Sequence, residues 1–246
     1  MDNYRNNGLL LILVVVLILI LFSSPLIKTE RIDGSTLRSK ASVVNAANFS
    51  RMNTEVAAIN NTTGTDANSN FTSIFDGKSL DGWRMSGGGK FQILYDEKAI
   101  QSRGGLGILW YTKQQFGNFV LQLEWRVASE SDNSGVFIRV PNLSNDYNVA
   151  VREGYEVQIN NRGEDSLHQT GAIAGFAAPR NVVLKPAGQW NTMEIHTMDQ
   201  SYKVFINNAK VIEFTGKRSI EGYVGLQAHD DKSKVAFRNI RVSDIK

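Results

Sequence analysis

Nine residues in strict alternation constrain this chain more than any other feature. From Phe119 to Val127 the sequence reads F-V-L-Q-L-E-W-R-V, with Phe119, Leu121, Leu123, Trp125 and Val127 at odd positions and Val120, Gln122, Glu124 and Arg126 between them. Side chains of a strand point alternately to opposite faces, so this pattern predicts a half-buried β-strand with one apolar and one polar face. Comparable runs occur at 90–95, 193–197, 202–206, 223–227 and 234–242. Turn-forming residues separate them: Gly87-Gly88-Gly89, Gly104-Gly105, Pro186-Ala187-Gly188 and the pair Asn207-Asn208, which reads as a hairpin turn. Many short strands at near-regular spacing predict an all-β sandwich or jelly roll, and no blade-length or solenoid-length repeat is present.

Two further runs carry chemistry. In Gly154-Tyr155-Glu156-Val157-Gln158-Ile159, alternation places Glu156 and Gln158 on one face. In Asn133-Ser134-Gly135-Val136-Phe137-Ile138-Arg139, it places Phe137 and Arg139 opposite Val136 and Ile138. Neighbouring strands would then offer a carboxylate, an amide and a guanidinium to one surface, and Gln122, Glu124 and Arg126 would extend it. That set suits a sugar site, or a buried structural network.

The N-terminus is of a different kind. Gly8 to Ile27 contains no charged residue, and 9–22 is continuously apolar. Twenty helical residues span about 30 Å, the thickness of a bilayer's hydrocarbon core. A membrane anchor is expected here, with a cleaved signal peptide as the rival; no small-residue cleavage site follows the run. The expected organisation is a tail (1–7), a membrane-spanning signal-anchor (8–27), an Asn/Ser/Thr-rich stalk (28–70) and a folded domain (71–246). Arg5 lies before the apolar run and Lys28, Arg31, Arg38 and Lys40 after it, which argues weakly against export. The acceptor sequons at Asn48, Asn60, Asn61, Asn70 and Asn142 argue for it, and an extracytoplasmic domain is the expectation.

Charge and cysteine usage exclude several classes. Residues 71–246 hold 21 Lys and Arg against 19 Asp and Glu, interspersed, so no basic footprint for nucleic acid is present. The chain has no cysteine, which removes disulfides, zinc thiolates and a cysteine nucleophile. Gly87-Gly88-Gly89 lacks the following lysine and helix of a phosphate loop.

The blocks Ile74-Phe75-Asp76-Gly77-Lys78-Ser79-Leu80-Asp81-Gly82-Trp83, 119–126, 133–139, 154–159, Thr170-Gly171-Ala172-Ile173, Lys185-Pro186-Ala187-Gly188-Gln189-Trp190-Asn191, Gly225-Leu226-Gln227-Ala228-His229 and Phe237-Arg238-Asn239-Ile240-Arg241 occur in this order. So arranged, the domain resembles the 3-keto-disaccharide hydrolase family, also described as 3-keto-glucoside 1,2-lyase / 3-keto-2-hydroxyglucal hydratase. The likeness spans essentially all of 71–246. It implies a concanavalin-like jelly roll and cleavage of glycosides oxidised at C3. A C3 ketone acidifies the C2 hydrogen, so a base can remove it and expel the C1 substituent; water then adds to the 2-hydroxyglucal. Such a site needs a base near C2, an acid near the leaving oxygen, and a cation or donor for the enolate. Two carboxylates flanking the bond would be another mechanism.

By motif position the resemblance implies Glu156, Arg139 and His229 as catalytic residues: Glu156 or His229 as base or acid, Arg139 for enolate charge or a sugar hydroxyl. Gln158 and Glu124 are expected to bind sugar, with His168, Trp110 and Asp230 as further binding candidates. The bland readings stand beside these. Glu156 and Arg139 could form a buried ion pair. His196 reads as structural, Trp83 and Trp190 as core anchors rather than sugar platforms, and Trp110 and Tyr111 equally as sugar platforms or core. Asp230-Asp231 reads as a solvated turn, or as part of a calcium site. The sequence departs from the family where Tyr gives way to Ala174 and Asp to Ala228, with Asp230 a replacement for the latter; both losses are expected at the rim. The expected function is membrane-anchored cleavage of 3-keto-glycosides, the alternatives a noncatalytic carbohydrate-binding module or an adhesive surface domain.

Overall fold

A computed structural model describes residues 71–245. The apolar run and stalk lie outside the described residues, and so does the expected anchor. Among the described residues no helix is long and apolar enough to cross a membrane.

Among the described residues thirteen strands follow in chain order. They are β1 (Thr72–Ser73), β2 (Trp83–Gly87), β3 (Phe91–Leu94), β4 (Ala99–Ser102), β5 (Gly107–Tyr111), β6 (Phe119–Val127) and β7 (Asn133–Val140). A six-residue helix, α1 (Asn148–Glu153), leads into β8 (Tyr155–Asn160). Then come β9 (Asn191–Met198), β10 (Ser201–Ile206), β11 (Ala209–Thr215), β12 (Tyr223–Ala228) and β13 (Val235–Asp244). An eight-stranded sheet has the order β11-β10-β9-β6-β13-β4-β3, with β1 beside β13; a five-stranded sheet has the order β2-β5-β12-β7-β8. Every named pairing is antiparallel, so the domain is the expected all-β sandwich.

The alternation of β6 is obeyed without exception: Phe119, Leu121, Leu123, Trp125 and Val127 are buried, and the residues between them are half-buried. They meet Val136, Ile138, Val157, Ile159, Val224 and Leu226 of the other sheet in one apolar core. The Asn207-Asn208 hairpin has φ of 49° and 68°, the left-handed geometry that a two-residue turn with matching twist requires. Trp83 is a core anchor, its indole N–H donating to the Ile74 carbonyl at 2.7 Å.

Two expectations about faces are corrected. First, Gln122, Glu124 and Arg126 do not extend the surface of Glu156 and Gln158. β6 is the middle of the eight-stranded sheet while β8 edges the five-stranded one, so the two polar faces lie on opposite outsides of the sandwich. Second, Arg139 does not share a face with Phe137. It has φ of 58°, and the pairing of β7 with β12 slips there, with Tyr223 opposite Val140 but Gly225 opposite Phe137. A β-bulge places one extra residue in β7 and turns Arg139 inward. Gly222 permits this, since a Cβ there would lie 2.7 Å from the Arg139 Cα.

Candidate functional site

The outer face of the five-stranded sheet carries a hollow of about 730 Å³. Its floor is Asn133 and Phe137 of β7, Glu156 and Gln158 of β8 and Gln227 of β12, with His229 just beyond. Its walls are Val151 of α1, the segment from Glu164 through His168 to Phe176, and Arg218 from the connection between β11 and β12. The strand register explains the floor: Gly135 lies opposite Gln158 and Phe137 opposite Glu156, so the polar side chains of β8 stand beside a glycine. A Cβ at Gly135 would lie 2.6 Å from Cγ of Glu156, so glycine is what lets that side chain lie across β7. The motif Thr170-Gly171-Ala172-Ile173 closes the edge of β8. The Ala172 carbonyl accepts from Gln158 N–H at 3.0 Å, and Gly171 and Ala174 N–H donate to the carbonyls of Gln158 and Glu156 at 2.9 Å.

Glu156 is the unusual group. Its Oε1 is sealed from solvent and, among the described residues, has no hydrogen-bond partner. Burial pushes its carboxyl up to about 8, so it is largely a neutral acid at pH 7. Gln227 Oε1 is likewise buried and unpartnered. Buried polar atoms are nearly always hydrogen-bonded, so two residues that line one hollow while each keeping a sealed, unpartnered oxygen are unusual. The rest of the Glu156 side chain is half-buried and lines the hollow.

Beside them runs an ordered chain of polar contacts. Gln158 Nε2 donates to Asn133 Oδ1 at 2.8 Å, which leaves the Asn133 amide to donate to His229 Nε2 at 3.0 Å. His229 Nδ1 donates to Asp230 Oδ2 at 2.8 Å. Burial alone would raise the Asp230 carboxyl, but hydrogen bonds from His229 and from the Ser233 and Lys232 backbone hold it well below the usual range. An ionised Asp230 therefore fixes the ring and the tautomer of His229. Across the hollow, His168 Nδ1 lies 3.0 Å from Asp165.

The structure thus brings together Glu156, Gln158, His168 and His229, with Asp230 behind His229. Three expected site residues lie elsewhere. Arg139 is fully buried, donates to the carbonyls of Phe116, Gly117 and Asp199, and packs over the rings of Phe119 and Tyr202. The bulge removes it from the hollow, and it makes no ion pair with Glu156. Glu124 lies on the opposite sheet, bonded to Arg238 and Asn239. Trp110 is only 2% exposed and packs edge-on to Tyr223 at 4.8 Å, within a small cluster with Ile108 and Phe137. It is core, as is its neighbour Tyr111 against Trp83 and Phe116. Trp190, expected in the core, is instead clasped between the guanidiniums of Arg126 and Arg238 at 4.6 and 4.1 Å. His196 is bonded to Glu194 on that same outer face.

Of the two departures from the family pattern, Ala174 lines the hollow. Ala228 does not: it is fully buried, and a Cβ on Gly89 would meet it at 2.7 Å. The Asp230-Asp231 pair forms a turn, with Asp231 accepting from Gly105 N–H at 2.7 Å. Among the described residues no cluster of three or more His, Cys, Asp or Glu is placed to hold a metal such as calcium. Sequence reasoning missed Arg218, Phe176 and Asp165; Phe176 and Asp165 flank the Thr170–Ile173 motif, while no pattern marks Arg218.

Residues 70–243 match the 3-keto-alpha-glucoside-1,2-lyase-like domain, and the chain belongs to that family. It is 27% identical over 231 residues to the 3-keto-disaccharide hydrolase of Bacteroides thetaiotaomicron, covering 70% of this chain and 77% of that protein. Among solved structures it is similar to a candidate glycosyl hydrolase from Parabacteroides distasonis, with a TM-score of 0.62 at 22% identity over 72% of this chain and 94% of the other. A Bacillus subtilis protein of unknown function with a galectin-like fold gives 0.54 at 12% identity over 71% and 94%. These two likenesses speak to the fold alone. Membership of the family supports a carbohydrate-active function, with glycoside hydrolysis at the level of the family.

Proposed function

We propose that the hollow of the five-stranded sheet binds a 3-keto-glycoside and cleaves it by elimination followed by hydration. The observation that carries this is the half-buried Glu156 side chain, its Oε1 sealed and unpartnered, in a hollow that also presents His229 with Asp230 behind it. His229 is the base. The ligand displaces the Asn133 amide from Nε2, and Nε2 takes the C2 proton while Asp230 supports the charge gained by the ring. The C2–H electron pair forms the C1=C2 double bond as the C1–O bond breaks. Glu156, neutral at pH 7, gives its proton to the leaving oxygen, releasing an alcohol and the 2-hydroxy-3-keto-glucal. Water then adds across C1=C2: its hydroxyl goes to C1, a proton goes to C2 from His229, and Glu156 recovers the water's other proton. The net change is hydrolysis, and each group ends as it began. Gln158 and Gln227 hold sugar hydroxyls, and His168 with Asp165 forms the opposite wall.

The full-length protein incubated with a 3-keto-disaccharide should release the 3-keto sugar, at a rate that falls as pH rises through about 8. A rate that instead climbs through that range makes Glu156 the base. Binding without release would leave a carbohydrate-binding module. We propose further that 8–27 anchors the chain in a membrane with the domain outside the cytoplasm. Protease added to intact cells should then digest the domain, and its survival would place it inside.

A further inference from the structure

The proposed elimination puts negative charge on the oxygen at C3, and the arginine expected to receive it, Arg139, is buried elsewhere. Among the described residues one Lys or Arg lines the hollow, and it is Arg218. Its surroundings are built. The guanidinium lies 4.8 Å from the Phe176 ring centre and 5.0 Å from that of Tyr155, two rings that meet edge-on at 5.3 Å. Nη1 donates to the carbonyls of Gly154 and Val151, while Nη2 has no hydrogen-bond partner among the described residues. A planar fork held by one nitrogen and two aromatic faces presents its other edge with little freedom left to lose.

The backbone of Arg218 is fixed by the same strand that carries Glu156. Tyr155 Oη accepts from Lys217 N–H at 2.8 Å and from Arg218 N–H at 3.0 Å. Gly216 allows this approach, since a Cβ there would lie 2.8 Å from the Tyr155 Cζ. Three successive residues thus do three things: the Gly154 carbonyl holds the guanidinium, the Tyr155 hydroxyl holds its main chain, and Glu156 faces the hollow. An acid and a cation from distant parts of the sequence are set in register by one strand end.

We propose that Arg218 is a catalytic residue of this hollow, receiving through its Nη2 edge the C3 oxygen of a 3-keto sugar as it becomes an enolate. Tyr155 is its positioning residue. This rests on the elimination reading above. An interaction that strengthens as charge develops lowers the barrier more than it tightens substrate binding.

The test is turnover of a 3-keto-disaccharide by full-length wild type, R218Q, R218K, Y155F and E156Q, with melting temperature measured on each. R218Q should lower kcat by about 10²–10³-fold and change KM only a few-fold. R218K keeps the charge without the fork and should recover part of the loss; it also decides the matter if R218Q does not fold. Y155F should lower kcat less, and its loss should shrink when combined with R218Q, because both act on one group. R218Q and R218K retaining wild-type kcat, with E156Q inactive, would overturn the assignment of Arg218 and leave the elimination intact. Equal losses in kcat and in melting temperature for both variants would make Arg218 a structural clamp, which also overturns it. A wild type that does not turn over the ketone would remove both.

Discussion

The two outer faces of the sandwich each carry a hollow, and they are of similar size: about 730 Å³ on the five-stranded sheet and about 790 Å³ on the eight-stranded one. The second is lined by Gln122, Glu124, Glu194, Asn239 and Arg241 between Phe71 and Phe205, a set that looks at least as suited to sugar. What separates them is how their polar groups are committed. On the eight-stranded face Glu124 is held by Arg238 and Asn239, and Gln122 bridges Glu194 and Arg241. Glu194 also reaches His196. That face is a closed polar network across strands. On the five-stranded face Glu156 and Gln227 each keep a buried oxygen without a partner. Volume does not distinguish a binding site from a solvated sheet face; the commitment of the polar groups that line it to one another is the better guide.

The sharpest way to break this comparison is to change one carboxyl on each face. E156Q should reduce release of the 3-keto sugar by about 10³-fold or more, as loss of a positioned proton donor with no substitute does. The fold should survive, because the amide replaces a carboxyl that is already neutral at pH 7. Retained turnover in E156Q would make the two faces equivalent and sink the mechanism.

A pair of glycines gives the next largest contrast. In G135A the new methyl would sit 2.6 Å from Glu156 Cγ, while around Gly117 a Cβ meets nothing within 4 Å. The obstructed atoms belong to a side chain that can swing, so Glu156 moves rather than the strands. Activity should fall by about 10–100-fold, in line with the cost of misplacing a reacting group. Stability should fall by at most about 1–3 kcal/mol, the range for overpacking. G117A should change neither measurably. Equal behaviour of the two variants in kinetics and thermal melting would mean that the placement of Glu156 across β7 does not matter.

These contrasts bear on what the sequence could disclose. Alternation located β6 and β8 because a period of two reports which residues share a face, and burial along β6 obeyed it residue by residue. It could not say which sheet a polar face belongs to, so Glu124 and Glu156 looked like neighbours while lying on opposite outsides. It failed at Arg139 because a bulge inserts one residue without a composition signal; the glycine that permits it, Gly222, touches Arg139 in space but stands far from it in sequence. Trp110 stayed open between platform and core, and Trp190 was expected in the core, for a related reason, since an indole's burial depends on what crosses above it. Arg218 sits in an irregular connection with no periodicity, and its position is decided by a tyrosine more than sixty residues away. His229, Gln158 and Glu156 were legible because ordered motifs carried them. The bond from Asn133 to His229 was not.

A subtler contrast lies in the pH dependence of stability. Glu156 keeps its proton in the folded domain until about pH 8 but loses it near 4.5 when unfolded. Between those values the folded state binds the extra proton, so stability declines as pH rises and levels off above 8. The slope should approach about 1.4 kcal/mol per pH unit. Denaturant titrations between pH 5 and 9 should show this decline in wild type and lose it in E156Q. Asp230 acts in the opposite sense, since its lowered carboxyl stabilises at neutral pH and loses that contribution on acidification below the usual carboxylate range. A wild-type slope identical to that of E156Q would mean that Glu156 is ionised and solvated, leaving no acid to donate.

The smallest expected effect comes from the other face, and it tests the logic by its smallness. Glu194 is half-buried and hydrogen-bonded to Gln122 and His196, so E194Q exchanges one member of a network for a near-isostere. Partly exposed charged pairs of this kind contribute about 0–1 kcal/mol. Melting should shift by no more than that implies, and turnover should stay within about two-fold of wild type, as expected for a site across the sandwich. A ten-fold loss in kcat with unchanged melting would show that the closed network communicates with the chemistry. The contrast between satisfied and unsatisfied faces would then be one of packing only, and the eight-stranded hollow would have to be counted as part of the working site.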